Sequence, residues 1–349
     1  MVNLVGKTID EGRFLVERRF GLGGGTSDIF VVRNARSKVC HLMKVNLSAD
    51  ELRQRMDLSE YIISKIDQGG HRQRTIDELE FTRKLHHPNI VEYLDIIPLP
   101  ENRLGLLMNP MGGVLDLAYN DGEIVYPAKT VGEIITNLNE VDANLTVRLP
   151  LMTKLFLEMK NVLYYFSEKH MLPFQHRDIK PNNIIMDYTG KTWVIDFGCA
   201  SHSSAPGVNH GSEYYCSPQV VSRFVIPDNA LDVWSLGVTC LELLLGHHPL
   251  AAGKRTQEHR DRYVDYLKNN REEDIQKALD KVYAGLLERF EEEKRKYPEA
   301  EPYEPYLIAI KPAFDVCSAK RHDWLKSVNN KPKRDSVFEF ALKCAFLPE

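Results

Sequence analysis

The sequence HRDIKPNN at residues 176–183, followed by DFG at residues 196–198, decides the fold. Two short apolar runs and a DYTG turn lie between these motifs, which predicts a β-hairpin. Because a hairpin brings its two ends together, we expect Asn183 and Asp196 to lie side by side. An amide oxygen and a carboxylate are hard ligands that suit Mg²⁺, an ion that keeps several waters and substrate phosphates. The pair therefore predicts a metal site for Mg²⁺, with Mn²⁺ as the alternative ion.

Two charged residues of the first motif fit the transfer of a phosphoryl group. Asp178 is available to accept a proton from a hydroxyl nucleophile. Lys180, two residues further on, points the same way in an extended loop and can neutralise the transferred group. Either motif alone is compatible with ordinary polar loop residues. The two motifs in this order favour a phosphoryl-transfer site.

The composition is that of an ordinary globular protein. The chain has 349 residues, of which 43% are hydrophobic and 27% charged, so wholesale disorder is excluded and two domains are expected. Its net charge of −4 gives no reason to expect nucleic-acid binding. The six cysteines form no CxxC pair, which indicates a reducing compartment. No apolar run reaches the ~18 residues of a membrane span, and acids interrupt the start where a signal peptide would be apolar. We expect a cytoplasmic protein, or one delivered to a cytosol.

The apolar pattern changes at a PMGG sequence, residues 110–113, which predicts a hinge. The strands predicted before it are Arg13–Phe20, Asp28–Arg33, Val39–Val45, Ile90–Ile97 and Leu104–Met108, with a helix at Ile76–Leu85. The helices predicted after it are Leu151–Glu168, Asn229–Leu245 and Asp274–Tyr297. The intervening segment, Tyr119–Leu149, is predicted to be a loop. The basic segment Lys320–Arg334 is predicted to be a solvated surface.

The two central motifs resemble those of eukaryotic-type protein kinases. GSEYYCSPQ at residues 211–219 and DVWSLG at residues 232–237 extend the resemblance, which runs from about Arg13 to Pro249. It implies an α+β fold with a small β-rich N-lobe, residues 1–111, and a larger helical C-lobe, residues 112–349. The lysine two residues after Asp178 resembles the serine/threonine branch. The resemblance therefore implies ATP-dependent phosphoryl transfer to serine and threonine hydroxyls of protein substrates.

In the N-lobe, Lys44 resembles the strand lysine that holds the α- and β-phosphates of ATP. Glu78 resembles the glutamate of the following helix that pairs with this lysine, and Glu80 is the alternative. Lys44 and Glu78 are 34 positions apart, more than a minimal kinase uses. The additional segment, residues 45–70, is predicted either to decorate the helix or to bind a regulatory partner that braces or inhibits it.

The resemblance also implies a set of nucleotide contacts. The glycine cluster brings backbone N–H groups close to phosphates, since only glycine lets the chain approach so closely. Its register stays open by one residue. Leu42 replaces the usual alanine above the adenine, and Leu107 is the gatekeeper, with Met108 as the alternative. The implied ATP-binding residues are Leu22, Gly23, Gly24, Gly25, Ile29, Leu42, Lys44, Glu78, Leu107, Met108 and Ile185.

In the C-lobe, the resemblance implies that Ser212 bonds the catalytic aspartate and lysine. The implied catalytic residues are Asp178, Lys180, Asn183 and Ser212, and the implied metal ligands are Asn183 and Asp196. Arg177 precedes the catalytic aspartate, and an arginine there usually needs an anion on the activation segment. Ser203 and Ser204 are therefore the candidate phosphorylation sites.

One position departs from the family pattern. Gln219 stands where the family has a glutamate that pairs with an arginine of the final helices. No arginine follows Arg334, so we expect the neutral amide to face no cation, with Arg321 and Arg334 as the alternative partners. His247 and His248 are expected to be surface residues.

Two other functions stay open at this point. A pseudokinase or scaffold would bind partners through a kinase shape, but loss of Lys44, Asp178 or Asp196 would favour it and none is lost. A small-molecule kinase of related fold is disfavoured by Lys180 and by the segment at residues 211–219, a peptide-docking feature.

Overall fold

The chain divides into two units, Met1–Val125 and Tyr126–Glu349. The computed structural model describes residues 4–20, 27–48, 50–51, 53, 71–101, 103–109, 118–120, 123–125, 128–168, 174–202, 212–221, 230–251, 257–315, 320–321 and 336–346. The predicted lobe boundary at residues 111 and 112 lies outside these ranges and stays a prediction.

The first unit is built on a six-stranded antiparallel sheet with the strand order β1-β2-β3-β4-β6-β5. A helix, α1 (His71–Thr82), packs against β5 and β6. A separate short hairpin joins β7 and β8. The strands are β1 (Thr8–Ile9), β2 (Phe14–Arg19), β3 (Ser27–Asn34), β4 (Cys40–Asn46), β5 (Tyr93–Leu99), β6 (Arg103–Met108), β7 (Ala118–Asn120) and β8 (Glu123–Val125).

The two faces of this sheet differ in the chemistry of their side chains. One face carries an apolar core that includes Val16, Phe30, Met43 and Leu107. Lys44 is the next residue after Met43 on β4, and side chains alternate between faces along a strand. The lysine therefore lies on the opposite face from this core.

The segment after β4 begins with a helical turn that is held by polar contacts. The Ser48 N–H donates to the Glu51 carboxylate at 2.8 Å, and the Glu51 N–H donates to the Ser48 hydroxyl at 3.3 Å. Arg103 forms an ion pair with Glu51 at 3.1 Å. Burial alone would raise the pKa of Glu51, but the Ser48 donors and the Arg103 guanidinium hold it below its ordinary value. Most of the segment at residues 45–70 lies outside the described residues.

The second unit is mainly helical. Its strands are β9 (Lys129–Thr130), β10 (Phe174–Gln175), β11 (Ile184–Met186), β12 (Thr192–Val194) and β13 (Ser201–His202). Its helices are α2 (Val131–Glu140), α3 (Leu145–Glu168), α4 (Pro218–Val221), α5 (Ala230–Leu245), α6 (Gln257–Asn269), α7 (Glu272–Lys294), α8 (Glu304–Ala309) and α9 (Ser336–Phe346). Short 3₁₀ turns cover Pro181–Asn183, Phe197–Cys199, Glu213–Tyr215, Pro298–Tyr303 and Lys311–Phe314.

The predicted loop at Tyr119–Leu149 is wrong, because it contains α2. Thr130 caps this helix: its hydroxyl accepts from the Glu133 N–H at 3.1 Å, while the Glu133 carboxylate accepts from the Thr130 N–H at 2.7 Å. This reciprocal pair is a capping box, and its T-x-x-E pattern stands in the sequence. The sequence therefore carries a signal for the start of this helix.

Helix α5 forms the centre of the second unit's core and is buried along nearly its whole length. It packs against α3 and against the turn at Lys311–Phe314. The contact with that turn requires a glycine at position 237. A Cβ atom there would come within 2.9 Å of the Ala313 carbonyl carbon and the Phe314 nitrogen, so any larger residue would push the two segments apart. Within the described residues, no helix is long and apolar enough to cross a membrane.

Helix α3 carries a buried lysine. Lys160 is only 3% exposed, and burial lowers its pKa to about 8 from an ordinary value of 10.5. Between these two values the unfolded chain binds more protons than the folded one. The free energy of unfolding therefore rises with pH across this window, and the full cost of the buried charge is present at pH 7.

We predict that Lys160→Met raises the free energy of unfolding at pH 7 by on the order of 1 kcal/mol, and flattens its rise between about pH 8 and pH 10. Urea unfolding at pH 7, 8.5 and 10 measures both effects. Lys154→Met is the matched control, since Lys154 is a partly exposed lysine of the same helix that pairs with Glu158. Equal pH dependence in wild type and Lys160→Met would contradict the prediction.

Candidate active site

In the second unit, three of the predicted residues, Lys180, Asn183 and Ser212, donate to the carboxylate of a fourth, Asp178. Lys180 Nζ donates to Asp178 Oδ2 at 2.7 Å, and Asn183 Nδ2 donates to the same oxygen at 2.8 Å. The backbone N–H of Ser212 donates to Asp178 Oδ1 at 2.8 Å. Lys180 Nζ also donates to the Ser212 hydroxyl at 2.7 Å. Both carboxylate oxygens of Asp178 are thus held in place, and a cation lies beside them.

A buried aspartate on α5 holds the backbone of this loop. Asp232 accepts the N–H of His176 at 2.7 Å and the N–H of Arg177 at 2.9 Å. Burial raises the pKa of the Asp232 carboxyl, and these donors act against that rise. Arg177 adopts a φ of 67°, a left-handed conformation that is uncommon for a residue with a side chain.

The ring of His176 also holds this loop in place. Its Nδ1 accepts the N–H of Asp178 at 3.2 Å, so Nε2 is the ring nitrogen that donates, and it donates to the Ile195 carbonyl at 3.1 Å. The ring also meets Phe197 edge to face at 4.8 Å between centroids. His176 therefore links the HRD and DFG motifs.

The predicted hairpin is confirmed: β11 pairs with β12, and the Ile195 N–H donates to the Asn183 carbonyl at 3.0 Å. This pairing brings the chain at Asn183 and Asp196 together. The amide nitrogen of Asn183 is committed to Asp178, so the amide oxygen is the atom that it can offer to a cation. Asp196 has a φ of 65° and accepts the Gly198 N–H at 3.3 Å. A carboxylate and an amide oxygen fit Mg²⁺ or Mn²⁺.

In the first unit, Lys44 Nζ donates to both oxygens of Glu78, at 3.0 and 2.8 Å. Both side chains are buried. The alternative partner, Glu80, lies exposed on the same helix. The hydroxyl of Tyr93 donates to Glu78 Oε1 at 2.9 Å, a contact that the sequence pattern does not indicate.

A family model described as the protein kinase domain matches residues 53–300, more than half of the chain. The chain belongs to the protein kinase family. The implied two-lobe α+β fold is confirmed by this match and by a curled sheet followed by a mainly helical unit.

Several curated kinases are similar at low identity. The dual specificity mitogen-activated protein kinase kinase mek-1 of Caenorhabditis elegans is 28% identical over 213 residues, 53% of this chain and 61% of mek-1. The mitogen-activated protein kinase spk1 of Schizosaccharomyces pombe is 26% identical over 284 residues, 77% of this chain and 65% of spk1. The serine/threonine-protein kinase PrkC of Bacillus subtilis is 27% identical over 255 residues, 70% of this chain and 32% of PrkC. The chain spans less than two thirds of the length of each of these relatives.

Among solved structures, a chain of the CAK complex of Chaetomium thermophilum bound to ATP-gamma-S superposes with a TM-score of 0.59. The match covers 94% of both chains at 17% sequence identity. At this identity the similarity concerns the kinase fold alone.

The strand register of the kinase sheet bears on the implied nucleotide contacts. Lys44 pairs with Ile29 on one side and with Leu106 on the other, and Leu42 pairs with Met108. Residues opposite each other share a face. Met108 thus lies on the face of Lys44, whereas Leu107 pairs with Met43 in the apolar core. The register disfavours Leu107 as the gatekeeper and favours the alternative, Met108.

The remaining implied kinase residues are Ile185, which is described, and six residues that are not. Ile185 is buried in β11, where it pairs with Trp193. The residues that lie outside the described part of the chain are Leu22, Gly23, Gly24, Gly25, Ser203 and Ser204.

The expectation that His248 is a surface residue is wrong. The side chain is 2% exposed and packs among the rings of Tyr214, Tyr215 and Tyr263. Its Nδ1 accepts the Leu250 N–H at 3.2 Å, so Nε2 donates to the Tyr214 carbonyl at 2.7 Å. His248 therefore packs against two tyrosines of the GSEYYCSPQ segment, Tyr214 and Tyr215, and donates a hydrogen bond to its backbone. His247 is exposed, as expected.

The expectation that Gln219 faces no cation is also wrong. Arg321, which the sequence placed on a solvated surface, is fully buried, and its Nη2 donates to Gln219 Oε1 at 3.4 Å. The other end of the same amide, Nε2, donates to Glu272 Oε1 at 2.6 Å. The Arg321 guanidinium also lies over the ring of Trp234 and donates to the Ala230 carbonyl at 2.7 Å. Gln219 thus bridges a cation and an anion, which an amide can do and a carboxylate cannot.

This arrangement predicts how the family's glutamate behaves in this kinase. Gln219→Glu gains a charged contact with Arg321 but turns a donor to Glu272 into a repelling acid. We expect the change to raise the free energy of unfolding by about 1 kcal/mol in a Glu272→Gln background, and by less in wild type. Chemical denaturation of the four proteins near pH 7 measures the coupling. No gain in the Glu272→Gln background would mean that Arg321 does not act as the partner.

Proposed function

We propose that the chain is a protein serine/threonine kinase that transfers the γ-phosphoryl group of ATP to serine and threonine hydroxyls of protein substrates. The network around Asp178 carries this proposal. A general base must be held in one orientation close to the proton that it accepts, and three donors hold this carboxylate. The presence of Lys44, Asp178, Asn183 and Asp196 disfavours a pseudokinase.

In the proposed reaction, the substrate hydroxyl oxygen forms a bond to the γ-phosphorus while the bond to the bridging oxygen of ADP breaks. The electron pair of the broken bond leaves with ADP, and the hydroxyl proton passes to the Asp178 carboxylate. Lys180 neutralises charge on the transferred group from its place beside Asp178. The contact of Lys180 with the Ser212 hydroxyl supports the serine/threonine preference.

Lys44, held by Glu78, is proposed to bind the α- and β-phosphates. Asn183 and Asp196 are the proposed ligands for Mg²⁺ or Mn²⁺, which neutralises phosphate charge when it is bound. Ile29, Leu42, Met108 and Ile185 are proposed to line the adenine site. The glycine cluster, with Leu22, Gly23, Gly24 and Gly25, is proposed to cover the phosphates.

The proposed partners are protein substrates rather than nucleic acids, and the proposed location is a cytosol. We propose that the segment at residues 45–70 receives a regulatory partner. Decoration of the helix is the alternative role, and the ion pair between Glu51 and Arg103, which ties the start of that segment to the sheet, fits either role.

We predict that Lys44→Met and Asp196→Ala each lower the rate of transfer to a generic protein substrate by on the order of 10³-fold, because each removes a phosphate or metal contact. Transfer of labelled phosphate from ATP, with circular dichroism to confirm folding, measures this. Glu78→Ala and Glu80→Ala form a matched pair on one helix. We expect the first to reduce the rate severely and the second to leave it within about twofold. Wild-type turnover in Asp196→Ala would refute the assignment.

Phosphorylation of Ser203 or Ser204 is proposed to activate the enzyme. Arg177 is half-buried and its pKa is lowered by burial, so an anion nearby would offset the cost of its charge. We predict that the double variant Ser203→Ala, Ser204→Ala loses at least about tenfold in rate, and that phosphatase treatment of wild type produces the same loss. Mass spectrometry of the active protein locates the phosphate. An unphosphorylated protein with full activity would contradict the proposal.

A further inference from the structure

The contact between Tyr93 and Glu78 stands out among the polar groups of the first unit. Tyr93 is 6% exposed and Glu78 is 3% exposed, so the hydrogen bond between them is shielded from water. It joins two elements, β5 and α1, that are separated by a turn. A phenol that donates to a buried carboxylate forms a charge-assisted hydrogen bond, which is stronger than a neutral one.

A shift in the register of β5 places the ring at this position. Tyr93 pairs with Met108, while Asp95 pairs with Leu107, so one additional residue, Leu94, stands between two consecutive partners. In an unbroken ladder Leu94 would face Met108. The irregularity instead gives this place to Tyr93, on the face that also carries Leu42 and Lys44. Bulges of this kind re-aim side chains next to functional sites.

Lys44 and Tyr93 together donate three hydrogen bonds to the Glu78 carboxylate, and these are divided unequally between its two oxygens. Oε2 accepts from Lys44 at 2.8 Å, whereas Oε1 accepts from Lys44 at 3.0 Å and from the Tyr93 hydroxyl at 2.9 Å. The Lys44 side chain is long and flexible, whereas a tyrosine side chain turns about only two bonds and the backbone of Tyr93 is paired within the sheet. The phenol therefore supplies a rigid reference point for the carboxylate. The Thr82 hydroxyl on α1 donates to the backbone carbonyl of Glu78 at 2.7 Å.

We propose that Tyr93 is a positioning residue of the phosphate-binding pair: its hydroxyl orients Glu78, and through Glu78 it orients Lys44. The proposal rests on the function proposed above, because Lys44 is taken to bind ATP. In this proposal, part of the rate of transfer depends on a single hydroxyl group on β5.

The test compares Tyr93→Phe with Tyr283→Phe. Each variant removes one buried phenolic hydroxyl and keeps the ring, and the Tyr283 hydroxyl donates to the Leu307 carbonyl at 3.0 Å in the second unit. We expect Tyr93→Phe to lower kcat/KM for ATP by about ten- to a hundredfold, with the KM for the protein substrate unchanged. Tyr283→Phe is expected to lower the melting temperature and to keep wild-type kinetics.

A second measurement does not depend on catalysis. In a Lys44→Met, Glu78→Leu background the Tyr93 hydroxyl loses its acceptor. We therefore expect Tyr93→Phe to lower the melting temperature of wild type by clearly more than that of this background. Equal losses in both backgrounds, or wild-type kcat/KM for ATP in Tyr93→Phe, would overturn the inference. If wild type transfers no phosphate at all, the proposed function fails, while the melting cycle still decides whether Tyr93 acts through Glu78.

Discussion

One buried carboxylate, Asp232, fixes the backbone on which the proposed chemistry depends. It accepts two consecutive N–H groups, those of His176 and Arg177, and two adjacent amides can meet one acceptor only where the chain turns sharply. Arg177 takes a left-handed φ at this turn, a conformation that costs on the order of 1 kcal/mol and persists only when its surroundings enforce it. Asp178 follows directly, so its position is set by that turn. Because helix α5 is buried in the core, Asp232 cannot move without disturbing the packing of the second unit.

Local chain geometry predicts one part of the site, whereas the contacts of Lys44 with Glu78 and of Ser212 with Asp178 are implied only by the resemblance to kinases. The hairpin follows from two apolar runs around a DYTG turn, and its closure alone brings the chain at Asn183 and Asp196 together. The placements of Arg321 and His248 could not be predicted in this way. Both are polar residues whose burial depends on segments distant in sequence: Arg321 lies beside Trp234 and Gln219, and His248 lies among three tyrosine rings. Composition and charge patterns assign such residues to the surface, since most of their type lie there.

The gatekeeper position shows a second limit of sequence patterns. Leu107 and Met108 are adjacent, equally apolar and both buried, so neither composition nor periodicity separates them. Their side chains nevertheless lie on opposite faces of the sheet, because a shift of one residue in a strand exchanges the two faces. The pairings of Leu42 with Met108 and of Met43 with Leu107 are the observations that favour Met108. The same rule applies to Tyr93. Its side chain lies on the face of Lys44 because of a register shift in β5 that no short sequence motif predicts.

The departure from the family pattern at position 219 occurs together with a complementary neighbour. At position 219 an amide replaces the glutamate, and Glu272 supplies an acceptor for the hydrogens that the amide adds. In the first unit, the hydroxyl of Tyr93 is matched by an oxygen of Glu78. A buried polar group without a partner costs about 1–3 kcal/mol, a large fraction of the stability of a folded domain. A substitution that adds a buried donor is therefore tolerated mainly where an acceptor already stands within reach. The local effect of such a change has to be judged from the pair, since the single residue measured against a family consensus gives the wrong sign as readily as the right one.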